Sequence, residues 1–221
     1  MTAMSYWTGL VFVLVVVLDL LVLASSRLRG AIRTVAFQGA VLALLPLLLP
    51  APAAGEHRVV HMVALAVGAL VVKGFLIPGM MLWAMREAAI RREVEPIVGF
   101  VPSLVLGALG VAAAFTFSGA LPLPAPELHP LLVPTSLSTV WTGLLLVVSR
   151  RKAVAQVLGF LVVENGVFVF GVLLSGFMPL MVEAGVLLDL LAATFVMGIV
   201  IFHINREFAS LDTRRLTSLR D

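Results

Sequence analysis

The sequence predicts an all-α integral membrane protein of about seven transmembrane helices, with its N-terminus outside and its C-terminus cytoplasmic. Three observations carry that expectation. The 221 residues are 61% apolar and only 12% charged, roughly half the charged share of a soluble domain, and mean hydropathy is +1.14. The charges gather between long apolar runs, so a water-soluble core of this length has no way to hide the apolar surface. Arginines also gather in every second connection between those runs, and so on one side, as the positive-inside rule requires.

A bilayer core of about 30 Å needs about 20 apolar residues per helix. The runs fall at Tyr6–Ala24, Val35–Leu49, Val59–Met85, Ile97–Ser118, Leu131–Ser149, Ala153–Gly176 and Pro179–Ile204. The first lacks the basic flank and small-residue cleavage site of a signal peptide and reads as a retained helix. The second is short, and Pro46, Pro50 and Pro52 predict an irregular outer end. The third continues inward as a helical extension, with Glu87 and Arg91 spaced for an i,i+4 pair. Pro96 then suits the first turn of the fourth.

Orientation follows from the loops. Arg27, Arg29 and Arg33 follow the first run, Arg86, Arg91 and Arg92 the third, Arg150, Arg151 and Lys152 the fifth, and Arg206, Arg214, Arg215 and Arg220 the seventh. The alternate connections hold only Arg58. The proline-rich outer loop 119–130 divides the chain into a four-helix part, 1–118, and a three-helix part, 131–204, followed by a cytoplasmic or interfacial tail, 205–221.

Composition also restricts the chemistry. With no cysteine, the chain itself offers no ligands for iron–sulfur clusters, no thiolate zinc site and no disulfide. A net charge of +3 is accounted for by arginines at helix ends rather than by a nucleic-acid surface. His57 and His61 are spaced i,i+4 but have no third ligand in the pattern, so no metal is expected.

Polar residues inside the apolar runs are the candidates for function: Asp19, Gln38, Lys73, Glu164, Asn165, Glu183 and Asp189. A charge at the centre of a transmembrane helix costs about 2.5 kcal/mol or more and persists where it faces protein or water. Lys73 lies fourteen residues into the third run, Glu164 eleven into the sixth and Asp189 ten into the seventh. At 1.5 Å per residue all three reach the middle of the bilayer. Pro78 removes an amide donor one turn beyond Lys73 and predicts a kink there. The group admits two readings, a lateral proton path or permanent structural pairs across helices. Asp19 lies near the inner end and reads as a partner for Arg27 or Arg29. Gln38 reads as interhelical glue. Glu183 sits near the outer boundary, and His203 shares a face with Asp189 at the inner end, where it serves as a relay or an interfacial histidine. Gly159, Gly166, Gly171 and Gly176 allow close helix packing.

Four places in the chain resemble known families. Arg150-Arg151-Lys152 followed by Leu158-Gly159-Phe160-Leu161-Val162-Val163-Glu164-Asn165 resembles the second helix of the K subunit of respiratory complex I. Val182-Glu183-Ala184-Gly185-Val186-Leu187-Leu188-Asp189-Leu190-Leu191, continuing through Met197-Gly198-Ile199-Val200, is similar to its relative, membrane component E of hydrogenase-4. So are Lys73 with Pro78 and the tail Leu211-Asp212-Thr213 with Leu216 and Leu219. The E-type resemblance covers nearly the whole chain and the K-type the last three runs. Aligning the K-type glycine and asparagine puts Leu161 at the family's glutamate, with Glu164 close to one helical turn later. Thr194 falls near its second glutamate, with Asp189 a turn earlier.

The resemblance implies a non-catalytic subunit of a hydrogenase-4-like, complex I-like assembly in a bacterial or archaeal cytoplasmic membrane. It implies partnership with antiporter-like membrane subunits and with a hydrogenase module, in which nickel, iron and clusters sit on other chains, so that this chain holds no cofactor. The proton or sodium path expected from the charges within the apolar runs goes through Glu164, Asp189, Lys73, Glu183 and His203. The rival expectations are a structural adaptor of the same assembly and a stand-alone secondary transporter.

Overall fold

The computed structural model describes residues 3–48, 56–87, 96–121, 129–174 and 198. Among them the chain is helical throughout, apart from short turns and one isolated bridge between Pro96 and Arg150. The helices are α1 (Ala3–Ala24), α2 (Leu28–Ala43), the short α3 (Leu45–Leu48), α4 (Glu56–Ala69), a π-helical segment (Leu70–Leu76), α5 (Ile77–Glu87), α6 (Phe100–Ala120), α7 (Leu132–Ser149) and α8 (Ala153–Leu174). Among the described residues six stretches are long and apolar enough to cross a bilayer: Tyr6–Ala24, Leu28–Leu48, Ala66–Trp83, Phe100–Ala120, Leu132–Ser149 and Val154–Gly171. The expected seventh run, Pro179–Ile204, lies outside the described residues. The protein is a multi-pass helical membrane protein.

Two boundaries differ from the sequence reading, each for a local reason. The second helix begins at Leu28, seven residues before the expected Val35. Leu28, Ala31, Ile32 and Val35 form a buried stripe that holds this turn against the bundle, and Arg33 points outward. Leu44 then breaks the helix just ahead of Pro46, the irregular end that the prolines predict. Pro96 does not enter the fourth span, because the Ile97 amide donates to the carbonyl of Ser149 at 2.8 Å, drawing this segment onto the end of α7. The helix starts only at Phe100, after an extended Gly99 (φ −53, ψ 161). The proposed Glu87–Arg91 pair lies outside the described side chains.

Without a strong hydrophobic drive between helices in lipid, close approach depends on small residues. In α7 and α8 they are Gly143, Gly159 and Gly166. A Cβ on Gly159 would meet the amide of Val147 at 2.7 Å and the carbonyl of Gly143 at 2.9 Å. One on Gly166 would meet the amide of Val140 at 2.7 Å. Ser136 uses the proximity to donate its hydroxyl to the Gly166 carbonyl at 2.8 Å. Gly171, expected to serve the same purpose, has open space where its Cβ would stand. Gly176 lies outside the described residues.

Two apolar clusters form along the bundle. One holds Val22, Leu23, Leu28, Ile32, Val35, Ile77, Met81, Leu146, Leu158 and Val162 among others. The other holds Phe12, Val15, Leu42, Leu45, Leu132, Val133 and Val169. On α1, α2, α7 and α8 alike, the residues between the clusters are polar and buried: Asp19, Gln38, Thr139, and Glu164 with Asn165. A polar layer thus lies between two apolar ones.

Candidate functional site

Lys73 reaches this layer from the π-helical segment. The amide of Ile77 donates to Val72, five residues back, and Pro78 has no N–H to give. The helix therefore widens rather than simply bends at the expected kink, and π-bulges of this kind recur at functional sites. Gly39 on α2 accommodates the wide turn, since a Cβ there would stand 2.8 Å from the Cβ of Lys73. The lysine is 6% exposed.

Its ammonium group donates to Glu164 Oε1 in a buried ion pair, with a second contact to Asn165 Oδ1 at 3.4 Å. The ring of Phe168 lies 4.7 Å from Nζ and adds a cation–π contact. From Asn165 the network continues. Asn165 Nδ2 donates to Gln38 Oε1 at 3.2 Å, and Gln38 Nε2 donates to Asp19 Oδ1 at 2.8 Å. The Thr139 hydroxyl shares a hydrogen bond with Asp19 Oδ2 at 2.7 Å. One connected chain of polar groups therefore links Glu164 and Lys73 to Asp19 through α8, α2, α1 and α7.

Direction in this chain is fixed by chemistry. A lysine ammonium can only donate, so Asn165 must turn its oxygen toward Lys73 and its nitrogen toward Gln38. Gln38 must then accept from Asn165 and donate to Asp19. Every amide donor points from the lysine end to the aspartate end.

The void beside the ion pair, bordered by Ile32, Pro78, Leu161 and Glu164, is about 10 Å³, the lower limit for a single water molecule. Among the described residues no group of three or more His, Asp or Glu side chains is placed to hold a metal ion.

Of the residues singled out by sequence, Lys73 and Glu164 meet directly. Asp189, Glu183 and His203 lie outside the described residues, as do the side chains of His57 and His61. Asp19 is a correction. It does not pair with Arg27 or Arg29, because it sits more than a turn inside α1 with both oxygens turned to Gln38 and Thr139 and is 0% exposed. Gln38 is interhelical glue as expected, yet it glues the network itself. Thr139 was missed. Its signal was the run Thr135, Thr139, Thr142, spaced i, i+4, i+7 on a single face of α7 and buried throughout.

A second polar feature closes the end of the bundle where α1 and α7 terminate. Arg150, 1% exposed, donates through one nitrogen to the carbonyl of Leu23 at 2.7 Å and lies 5.1 Å from the ring of Phe100. Burial pulls its guanidinium below the ordinary arginine value. It joins the last turn of α1 to the first of α6.

With that geometry in view, the similarity to known proteins can be placed. No family model matches the chain, and no solved structure matches it. The chain is 31% identical over 207 residues to an uncharacterized protein of Mycobacterium tuberculosis, covering 93% of this chain and 92% of that protein. It is 31% identical over 153 residues to hydrogenase-4 component E of Escherichia coli, covering 69% of this chain and 70% of that protein, and equally to that of Shigella flexneri. An identity of this level across more than two thirds of component E agrees with the resemblance carried by Lys73, Pro78 and the later segments, and the chain belongs to the hydrogenase-4 component E family.

Proposed function

We propose that this chain is a membrane subunit, itself without redox chemistry, of a hydrogenase-4-like assembly, and that it helps to move protons or sodium ions across a bacterial or archaeal cytoplasmic membrane. The observation that carries the reading is the Lys73–Glu164 pair, buried between two apolar clusters and wired into a polar chain spanning the bundle. An ion pair taken from water into a low-dielectric interior is held in balance between desolvation and mutual attraction. A charge arriving nearby shifts that balance and moves the proton affinity of both groups. In this reading Glu164 carries the proton and Lys73 tunes it, with Asp189, Glu183 and His203 extending the path. The partners are antiporter-like membrane subunits and a hydrogenase module holding the metal centres. The basic loops face the cytoplasm.

The test is Glu164→Gln, which keeps size and hydrogen bonding and removes the titration. Membrane vesicles carrying the variant assembly should lose substrate-driven ion translocation, by ten-fold or more, while native electrophoresis shows the same complex. Undiminished pumping in Glu164→Gln defeats the reading.

One observation favours a second reading, a structural adaptor. The polar groups of the network satisfy one another, and the void beside them has hardly room for one water. For an adaptor, deleting the chain dissolves the complex, while Glu164→Gln lowers its melting temperature and leaves pumping intact.

A further inference from the structure

Among the described residues the network holds two acids, Asp19 and Glu164, and one base, Lys73. Lys73 is matched by Glu164, which leaves Asp19 with no cation. Its oxygens meet, among the described residues, only the neutral amide of Gln38 and the neutral hydroxyl of Thr139. Among the described residues, nothing titratable on the elements packed around it alters the count. α3, α6 and α7 contain no ionisable side chain. On α2, Arg29 and Arg33 lie toward the Leu28 end, and Arg33 is exposed. Arg150 is held on the carbonyl of Leu23, one turn further along α1. Glu164 and Lys73 are reached only through Gln38 and Asn165. An ionised carboxylate that is 0% exposed and faces only neutral donors is far costlier than a protonated one.

The position of the proton follows from the direction of the chain. Lys73 forces Gln38 to present its N–H to Asp19 Oδ1, so Oδ1 is an acceptor. Oδ2 faces Thr139, whose hydroxyl can either donate or accept. We infer that Asp19 is a proton-binding site of this chain, resting as a neutral acid with its proton on Oδ2, directed at the Thr139 hydroxyl and coupled to the Lys73–Glu164 pair through the Gln38–Asn165 amides. On release, the Oδ2–H bond breaks and the proton passes to a water molecule admitted beside Thr139, leaving the carboxylate to accept from the Thr139 hydroxyl. Thr135 and Thr142, a turn to either side of Thr139, have buried hydroxyls without a hydrogen-bond partner among the described residues. Their hydroxyls offer hydrogen bonds to that water. The ionised Asp19 left behind draws the donor chain, and with it the ammonium of Lys73, away from Glu164. The site deepens the function proposed above and rests on it only for its purpose, not for its existence.

The experiment is infrared difference spectroscopy on the purified complex, wild type against Asp19→Asn, with the melting temperature of each. Asparagine reproduces the neutral acid, its oxygen accepting from Gln38 and its nitrogen donating to Thr139. The expected result is loss of one protonated-carboxyl C=O band in Asp19→Asn, the same band retained in Glu164→Gln, and an unchanged melting temperature in Asp19→Asn against a lowered one in Asp19→Ala. Three results overturn the inference: no band lost, Asp19→Asn melting as low as Asp19→Ala, or a band that vanishes when sodium replaces potassium, which marks an alkali cation at the carboxylate. If Asp19 passes while Glu164→Gln still pumps, the proposed function falls and the proton site stands. If Asp19 fails while Glu164→Gln abolishes pumping, the reverse holds.

Discussion

Arg150 illustrates how a single buried side chain can hold several helix ends. The last carbonyls of a helix lack intrahelical donors and carry the negative end of its dipole. The guanidinium of Arg150 meets one of them at Leu23 while its face stacks near Phe100. Its other terminal nitrogen is buried without a hydrogen-bond partner among the described residues, so the residue combines a gain with a desolvation cost. A hydrogen bond from a charged donor contributes about 1.5–3 kcal/mol, and a cation–π contact about 0.5–2 kcal/mol, so the gain wins. Arg150→Met should lower stability by about 2–3 kcal/mol, and Arg150→Lys by about 1–2 kcal/mol, because an ammonium cannot reproduce the planar fork. Thermal melts in mild detergent check the order. A Met variant as stable as wild type would mean that desolvation dominates. At this scale the sequence was partly legible. Charges within apolar runs announce themselves, so Lys73 and Glu164 were found, and the middle depth that they share brought them together. Asp19 was misassigned because sequence proximity favoured the nearby arginines. Its actual partners, Gln38 and Thr139, are neutral and lie 19 and 120 residues away, and no periodicity on one helix reveals a hydrogen bond to another.

Elements were legible wherever hydropathy alone defines them. α1, α7 and α8 begin within three residues of their expected starts. Arg29 and Arg33 hid the beginning of α2, because they flank a buried stripe that a hydropathy window averages away. The π-helical turn at Lys73 was readable only as a kink: proline signals a lost donor, while the choice between bending and widening depends on what packs against the turn, here Gly39. The α7–α8 contact supports the sharpest prediction at this scale. Gly166 lies against the α7 backbone beside Asn165 and Glu164, so Gly166→Val forces the helices apart and breaks the Ser136 bond. Overpacking of this type costs about 1–3 kcal/mol, and displacement of the neighbouring polar pair adds to it. The variant should accumulate poorly in membranes and fail to assemble. Gly171→Val on the same helix, where nothing lies within 4 Å, should accumulate normally. Equal levels of the two would show that the close approach at Gly166 is not required.

For the molecule as a whole, orientation decides which face of the polar layer meets which compartment. The amide of Ile97 on Ser149 and the guanidinium of Arg150 on Leu23 bring the end of α1, the start of α6 and the end of α7 to one side of the bundle. Met85 near the end of α5 packs in the same apolar cluster as Leu28 and Val154, so the loops carrying Arg27, Arg86 and Arg151 share that side. Ala120, at the far end of α6, lies on the other. By the positive-inside rule the basic side is expected to face the cytoplasm. Because the chain has no cysteine, any thiol introduced is the only one, and a membrane-impermeant maleimide reports its side without background from this chain. Ser26→Cys should label in inverted vesicles and be protected in intact spheroplasts, and Ala120→Cys should show the opposite pattern. The inverse result for both would turn the protein over in the membrane. The Lys73–Glu164 pair would keep its geometry, but each half of the proposed path would then open to the opposite compartment. Labelling of both positions from one side would instead contradict a bilayer crossing by α6.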